Sequence, residues 1–240
     1  MKISVLIIAH NEEKYIRQCL ESVTHQTHSP DEIILIAHNC TDNTEIIAKE
    51  FSSVRTVPLH SPAGSWHARA KGFEEVAGDI VVCTDGDSYV ENNWVEEMIK
   101  PLLENNDTSG VGSPVIFTGH WWSKWNSINF FYLGKWFDAK PKHRPFYYFW
   151  GASFAIRKRD YEKVGGFSNL PKIQKELGLI NPADDWYLAL LLLQMGKIKI
   201  TYKTRAYAHV KERNIFQYIQ RLVSQKNDGK KLSEYYKKFS

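Results

Sequence analysis

The residues whose types could do chemistry most clearly are Asp85, Gly86 and Asp87, which follow an apolar run at residues 80–83 after one threonine. Two carboxylates separated by one glycine can hold a hard divalent cation such as Mg²⁺ or Mn²⁺ from a tight turn, and Mg²⁺ bound in this way usually bridges phosphate groups. The Asp-Gly pair is equally typical of a simple turn at the end of a strand. The motif alone leaves both interpretations open.

A second acidic pair, Asp184 and Asp185, lies at the predicted start of a helix. Asn181 is suited to the N-cap of that helix, and Pro182 to its first position. A carboxylate there could serve as a general base, and the helix N-terminus favours its ionised form. Acidic residues also favour helix initiation without any catalysis, so the pair has a structural interpretation as well.

The elements that must position these residues alternate along the first 105 residues. Apolar runs of strand length are separated by segments with helical spacing, and the runs occupy residues 3–9, 31–38, 54–57 and 79–84. This β-α-β-α-β-α-β-α pattern predicts a parallel sheet with helices on both faces. We also expect Asn11 to cap the first helix, and Pro101 to kink or end the fourth.

Ligands of such sheets bind beyond the carboxyl ends of the strands, where the strand order reverses. Three polar clusters follow the first, second and fourth strands. They are His10-Asn11-Glu12, His38-Asn39 and Asp85-Gly86-Asp87. The sequence therefore predicts that all three lie on one rim of the sheet.

Composition limits the class of protein. The chain has 240 residues and no uninterrupted apolar run of about 20, so we expect a large globular domain without a membrane span. Its three cysteines have no metal-binding spacing, which favours a reduced, cytoplasmic setting. Residues 211–240 hold eight Lys or Arg against three Asp or Glu, whereas the rest of the chain is nearly balanced. This distribution argues against a nucleic-acid partner and predicts a basic C-terminal helix near residues 215–225.

Aromatic residues are concentrated between residues 121 and 150, which hold 13 of the 32 Phe, Trp and Tyr residues of the chain. This segment could line a groove for an acceptor or rest on a membrane surface. Packing in the core or in a lid is an equally good explanation. The basic tail is suited to anionic lipid or an acidic acceptor, although a run of charge is usually a solvated face.

Five stretches in order resemble family 2 glycosyltransferases. They are "SVLIIAHNEEKYIRQCLESVTHQT", "EIILIAHNCTDNTEIIAKEF", "GSWHARAKGFEEVAGDIVVCTDGDSYVENNWVEEM", "WGASFAIRKRDYEKVGGFS" and "ADDWYLALLLLQMGKI". The resemblance implies a GT-A fold, an α/β Rossmann-like and mostly parallel sheet flanked by helices, and inverting transfer of a sugar from a nucleoside diphosphate sugar. The resemblance also implies a glycosyltransferase domain that spans residues 1–210. Its first half, 1–105, would bind the nucleotide sugar, and its second half, 106–210, would bind the acceptor. The basic helix and tail are 211–240.

The resemblance also implies roles for single residues. Asp87, with Asp85, would place Mg²⁺ or Mn²⁺ on the donor diphosphate, although Asp85 could instead bind the ribose. His209 would be a further metal ligand, unless it is only structural. Asp185, beside Asp184, would be the general base. The remaining donor-binding residues would be Ala9, His10, Asn11, Glu12, His38, Asp42, Arg69 and Gly86.

Two positions depart from the pattern of the family. His10 stands where a Tyr is usual, and His38 stands where an Asp often pairs with the N3–H of uracil. A neutral His could accept that hydrogen bond, and Asp42 could compensate for the missing carboxylate. The base of the donor is therefore left open.

The partners expected from these observations are a nucleotide-sugar donor, such as a UDP-sugar, and a glycan or glycolipid acceptor. We expect no nucleic acid and a cytoplasmic setting, with peripheral contact at the inner face of the membrane. The sequence carries no signal for an oligomeric state. Two other functions compete with this one: transfer to a lipid phosphate, and a module that binds sugar nucleotides without turnover.

Overall fold

The fold is built on one seven-stranded sheet, seen in a computed structural model that describes residues 1–120, 123, 125, 127, 150–180, 183–210 and 215–237. The strand order is β3-β2-β1-β4-β8-β6-β9, and β8 is antiparallel to both of its neighbours, whereas the other pairs are parallel. A small three-stranded sheet has the order β5-β10-β7. The strands are β1 (Ile3–Ala9), β2 (Glu32–His38), β3 (Val54–Leu59), β4 (Ile80–Asp85), β5 (Ser88–Val90), β6 (Thr108–Gly112), β7 (Val115–Thr118), β8 (Phe154–Arg157), β9 (Lys197–Ile200) and β10 (Ala206–His209).

Helices cover both faces of the main sheet. They are α1 (Ile16–Thr24), α2 (Thr44–Ala48), α3 (Ser65–Glu75), α4 (Trp94–Glu104), α5 (Lys158–Lys163), α6 (Leu170–Leu177), α7 (Asp184–Leu193) and α8 (Ile215–Lys237). The predicted α/β fold class, with its β-α alternation over the first 105 residues, is confirmed.

Side chains of β1 alternate between two hydrophobic cores, as expected for a strand buried on both faces. Its odd-numbered residues join α1 and α4, where Trp94 is fully buried. Leu6 and Ile8 point to the other face and join α3 and α7, where Phe73 is buried. Burying each of these large side chains contributes about 1.5–3 kcal/mol, so the two cores hold the central strands firmly.

The predicted capping of α1 by Asn11 is wrong. Asn11 has a left-handed backbone with φ of 55°, and α1 begins only at Ile16. The backbone N–H groups of Tyr15 and Ile16 both donate to the carbonyl of Glu12, which forms a turn ahead of the helix. Asn11 instead uses its side-chain oxygen to accept a hydrogen bond from the N–H of Thr41, at 2.8 Å.

The extent of two further helices differs from the prediction. α4 does not end at Pro101 but continues to Glu104, because Leu102, next to the proline, and Ile99, two residues before it, are packed in the core. The C-terminal helix α8 runs to Lys237 rather than ending near residue 225, and its second half buries Leu232. The proposed cap of α7 at Asn181 and Pro182 lies outside the described residues, as does most of the aromatic segment at 121–150.

In the parts of the chain that the structure describes, none of the helices has both the length and the apolar character needed to cross a membrane.

Candidate active site

The candidate site lies at the carboxyl ends of β1, β2 and β4. These three strands are adjacent and parallel, with β1 in the centre, so that Ala9 pairs with Ala37 and Ile8 with Asp85. The three polar clusters that follow the strands therefore share one rim, as predicted. The order of strands reverses between β1 and β4, which makes this rim the expected place for a ligand.

Hydrogen bonds tie the loop after β1 to the loop after β2. The N–H of Glu12 donates to the hydroxyl of Thr44 at 2.7 Å, within a fully buried contact. Asp42 accepts from Thr44 through Oδ1 and from the N–H of Glu13 through Oδ2. Burial raises the pKa of Asp42, but these hydrogen bonds outweigh it and hold the pKa below its ordinary value. Asp42 therefore helps to hold the loops after β1 and β2 together, and both of its carboxylate oxygens accept hydrogen bonds.

His38 closes the end of β2. Its Nε2 lies 2.9 Å from the hydroxyl of Ser61 and 3.2 Å from the side-chain amide of Asn39, and its side chain is buried. Because the Asn39 Nδ2 donates and the Ser61 hydroxyl can do so, this environment favours Nε2 as an acceptor and Nδ1 as the protonated nitrogen. His10 is held nearby, with its Nδ1 2.7 Å from the carbonyl oxygen of His38.

Arg69, on α3, connects the two acidic motifs. Its Nη2 donates to Oδ1 of Asp85 at 2.6 Å, and its Nη1 donates to Oδ2 of Asp184. The Arg69 side chain is only 4% exposed, and its guanidinium carbon lies 5.9 Å from the centre of the Phe154 ring. The first and second halves of the chain thus meet at one guanidinium group.

Asp185 occupies the other side of this cluster. Its Oδ2 accepts from the N–H of Gly151 at 2.8 Å, and its Oδ1 accepts from the N–H of Trp186 at 2.7 Å. Burial and then Asp184 raise the pKa of Asp185 to about 6, against the opposing effects of Arg69 and the two backbone hydrogen bonds. The sequence predicted that the helix N-terminus would keep this carboxyl ionised. The raised pKa acts in the opposite direction, because burial disfavours the charged form of Asp185.

Two glycines allow the close packing of this site. A Cβ on Gly151 would overlap Nη2 of Arg69, so no larger residue fits while the guanidinium stays in place. A Cβ on Gly86 would lie 2.8 Å from the Cβ of Ala9 and 3.3 Å from the Cγ of Glu12. A glycine is therefore needed between the two aspartates because the turn after β4 packs closely against the end of β1.

Asp87 and His209 are brought together by the small sheet. Antiparallel pairing of β10 with β5 lets the N–H of His209 donate to the carbonyl oxygen of Asp87 at 2.9 Å. The imidazole ring stacks on Tyr15, with 4.4 Å between ring centres. Burial lowers the pKa of His209, while the nearby Asp87 opposes that shift. A lowered pKa favours the neutral imidazole, which is the form that binds metals.

The family of the chain follows from its sequence. The sequence profile described as Glycosyl transferase family 2 matches residues 4–165, about two thirds of the chain. The chain belongs to this family. The predicted resemblance to this family is therefore confirmed.

Relatives in the glycosyltransferase family agree with this assignment. Glycosyltransferase GlyA of Streptococcus pneumoniae is 29% identical over 199 residues, which cover 81% of this chain and 25% of GlyA. The probable glycosyltransferase YdaM of Bacillus subtilis is 32% identical over 188 residues, which cover 70% of this chain and 43% of YdaM. The chain thus spans less than half of the length of these two curated relatives.

The fold is shared with solved glycosyltransferases. The mannosyltransferase PcManGT from Pyrobaculum calidifontis, solved in complex with GDP-Man and Mn²⁺, superposes with a TM-score of 0.64. It is 20% identical, and the match covers 90% of this chain and 59% of PcManGT. The GT-A fold expected from the sequence is therefore confirmed.

A divalent metal would find an incomplete set of protein ligands in this glycosyltransferase. Within the described ranges, no three or more His, Cys, Asp or Glu side chains are grouped closely enough to hold a metal ion. One oxygen of Asp85 is already paired with Arg69, whereas Asp87 and His209 adjoin each other. This set fits Mg²⁺ or Mn²⁺, which commonly take one or two carboxylates and complete their coordination with water and phosphate oxygens.

Sequence reasoning missed several residues that shape the site. Gly151 orients Asp185, Thr44 supports the N–H of Glu12, and Ser61 contacts His38. The glycine lies in "WGASFAIRKRDYEKVGGFS", one of the five stretches that resemble the family, so its position beside the site could have been suspected. Thr44 and Ser61 carry no local signal, because their partners come from loops that are distant in the sequence.

Proposed function

We propose that this chain is a metal-dependent, inverting glycosyltransferase that moves a sugar from a nucleoside diphosphate sugar to a hydroxyl of a glycan or glycolipid. The observation that carries the proposal is the cluster in which Arg69 contacts both Asp85 and Asp184, with Asp185 beside it. The arrangement supports the proposal because Arg69 joins Asp85, which follows the donor-side strand β4, to the acidic pair at the start of α7, where Asp185 could accept a proton.

The two halves of the chain take different parts in this proposal. Residues 1–105 hold the donor, with Ala9, His10, Asn11 and Glu12 at the end of β1. Residues 106–210 contribute the acidic pair and the surface for the acceptor. The basic segment at 211–240 follows this domain.

Asp87, His209 and the second oxygen of Asp85 are the groups that would hold the metal. When bound, Mg²⁺ or Mn²⁺ neutralises the negative charge that develops on the departing diphosphate. The tilt of the His209 ring is restrained from both sides, since its Nδ1 lies 3.1 Å from the Thr118 hydroxyl and its Nε2 lies 3.2 Å from Oε1 of Gln18. His209 can reach a metal through Nε2 only if Gln18 gives up this contact.

Asp185 is the better candidate for the base of the two neighbouring carboxylates. Asp184 is buried and committed to Arg69, whereas Asp185 is oriented by the backbone N–H groups of Gly151 and Trp186. In direct displacement, Asp185 accepts the proton of the acceptor hydroxyl while that oxygen attacks the anomeric carbon. The bond to the diphosphate breaks on the opposite face of the sugar, so the anomeric configuration is inverted.

The subsite for the donor base is proposed to lie at His38. With Nε2 held by Ser61 and Asn39, the protonated Nδ1 of His38 would donate to the base rather than accept from it. Both oxygens of Asp42 already accept hydrogen bonds from Glu13 and Thr44, so any contact of Asp42 with the base would be an additional bond to one of these oxygens. A donor other than a UDP-sugar is therefore included in the proposal.

The direct test is turnover with a panel of UDP-, GDP-, dTDP- and CDP-sugars, followed by release of the nucleotide. We expect Mg²⁺ or Mn²⁺ to support release from at least one donor and EDTA to abolish it. Metal-dependent binding of donors without release would identify a binding module. No release and no metal-dependent binding with any donor would overturn the proposal.

The pH dependence of the reaction follows from the raised pKa of Asp185. Since only the ionised carboxylate can accept a proton, kcat/KM should rise with pH through an apparent pKa near 6 and then level off. Asp85 also has a pKa raised to about 6, chiefly by burial, so the observed value belongs to the interacting pair. In Asp185→Asn only Asp85 of this pair can still titrate, so the apparent pKa should shift, and a flat profile between pH 5 and 7 in the wild-type protein would contradict the assignment.

Peripheral contact with the inner face of an anionic membrane is proposed for α8. The apolar side chains of Phe216, Val223 and the neighbouring Ile180 are 75%, 52% and 76% exposed. Ile180 and Val223 line one groove of about 680 Å³, and the cations Lys226 and Lys230 are exposed on the same helix. Exposed apolar side chains flanked by lysines match the chemistry of anionic lipid at the interface.

Vesicle binding checks this surface. We expect the protein to sediment with phosphatidylcholine vesicles only when they contain phosphatidylglycerol, with less bound as salt increases. The double change Phe216→Ser and Val223→Ser should weaken binding about tenfold or more, because it removes two apolar anchors. The matched control is Leu103→Ser, which alters an equally exposed side chain on α4. Equal binding to neutral vesicles, or equal loss in the control, would contradict the proposal.

A further inference from the structure

Arg69 is the least expected part of the site. The resemblance to the family placed it near the donor nucleotide or phosphate, where its guanidinium would contact phosphate oxygens. In the structure, both terminal nitrogens of the guanidinium already donate to carboxylates, Nη2 to Asp85 and Nη1 to Asp184. The whole residue is 3% exposed, which leaves little surface for a phosphate group.

The partners of Arg69 are far apart in the sequence. Asp85 ends β4, 16 residues away, and Asp184 begins α7, 115 residues away. The guanidinium therefore joins the end of the donor-side strand to the start of the helix that carries the proposed base. A planar guanidinium with fixed donor directions sets both the distance and the angle between its two acceptors, which a lysine ammonium cannot do.

Packing holds the guanidinium itself in place. The backbone of Gly151 passes so close that a Cβ there would overlap Nη2 of Arg69. The same glycine donates its N–H to Oδ2 of Asp185. Any displacement of the Arg69 guanidinium would consequently disturb Asp85 and Asp184 directly, and Asp185 through the backbone of Gly151.

We propose that Arg69 is a positioning residue that fixes the spacing between the donor-side carboxylate of Asp85 and the acidic pair on α7, and that it makes no contact with the phosphate of the donor. This inference rests on the proposed function for its effect on catalysis. It predicts that Arg69 affects the rate of the transfer step and does not affect the affinity for the nucleotide.

Arg69→Lys is the decisive variant, since it keeps the positive charge and removes the planar guanidinium group that donates to Asp85 and Asp184 together. We expect kcat to fall by about tenfold to a hundredfold, because small errors in the placement of reacting groups are costly. The Kd for the nucleoside diphosphate, measured by calorimetry in EDTA so that Asp85 cannot act through a metal, should stay within about threefold of the wild type, since no phosphate contact is lost. Arg55→Lys is the matched control, because Arg55 is an exposed arginine paired with Glu75, and neither quantity should change.

A second variant approaches the cluster from the other side. Gly151→Ala introduces a methyl group where Nη2 of Arg69 lies, and it should produce the same loss of kcat with retained nucleotide affinity. Thermal unfolding of each variant shows whether it is folded. One folded variant of the two is enough to test the inference.

The outcomes separate this inference from the proposed function. A Kd weakened tenfold or more in Arg69→Lys would overturn the inference, because it would indicate a phosphate contact. An unchanged kcat in both folded variants would also overturn it. If the wild-type protein turns over no donor, the proposed function fails, but the Kd comparison still decides whether Arg69 contacts the phosphate.

Discussion

Replacement of Asp185 by Asn is expected to lower kcat by about two to four orders of magnitude, the usual contribution of a general base. The amide is nearly the same size, and its single oxygen can keep the hydrogen bond from the N–H of Gly151, although the one from the N–H of Trp186 is lost. What is lost is the ability to take the proton of the acceptor hydroxyl. The measurement is kcat with saturating donor and acceptor.

Asp107→Asn serves as the control for this variant, since Asp107 lies on an exposed turn before β6, outside the site. Its kcat should equal that of the wild type. If Asp185→Asn keeps most of its activity, Asp185 is not the base. That result would favour the competing function, transfer to a lipid phosphate, because such an acceptor is already anionic and needs no base.

Replacement of Asp87 by Asn should abolish most of the metal stimulation that we propose for this chain. A bound metal contributes several kcal/mol to stabilising charge on a leaving group, so losing a ligand should reduce kcat/KM by about a hundredfold or more. The affinity for the nucleoside diphosphate should become nearly the same in Mn²⁺ and in EDTA. Titration calorimetry in the two conditions measures this directly.

His209→Gln is the companion to this variant and tests the second proposed ligand. If His209 binds the metal, its replacement should weaken Mn²⁺-dependent nucleotide binding less than the Asp87 variant does, because a neutral ligand is lost rather than a charged one. Unchanged metal stimulation in Asp87→Asn would contradict the assignment of Asp87 as a metal ligand.

The parallel sheet and its ligand rim were predictable because they depend on local patterns. Apolar runs such as Ile3–Ala9 are buried on both faces, and alternation with helices forces neighbouring strands to be parallel. Once the strands are parallel, polar residues that follow them must share an edge. The positions of His10, His38 and Asp85 on one rim therefore followed from spacing alone.

Contacts between distant segments were not predictable in the same way. The acceptors of the Arg69 guanidinium were invisible in the sequence, because one lies 115 residues away on α7. The local sequence around Asn11 indicated a helix cap, yet its side-chain oxygen accepts a hydrogen bond from the N–H of Thr41 in another loop. In both cases tertiary contacts decided between several uses of the same side chain.

The pairing of β5 with β10 is a third such case. Ser88–Val90 is only three residues long and directly follows the Asp-Gly-Asp turn, so the sequence indicated a turn and no strand. Its antiparallel partner arrives more than 100 residues later and places His209 beside Asp87. Short strands of this kind form only because a partner is available, which explains why periodicity does not reveal them.

The anomeric configuration of the first product tests the central claim most directly. With Mg²⁺, the active donor and an acceptor, proton NMR of the transferred sugar should show the configuration opposite to that of the donor from the earliest time points. Inversion is the result expected when Asp185 deprotonates an acceptor that attacks opposite the diphosphate. Retention of the donor configuration would contradict direct displacement and the role assigned to Asp185.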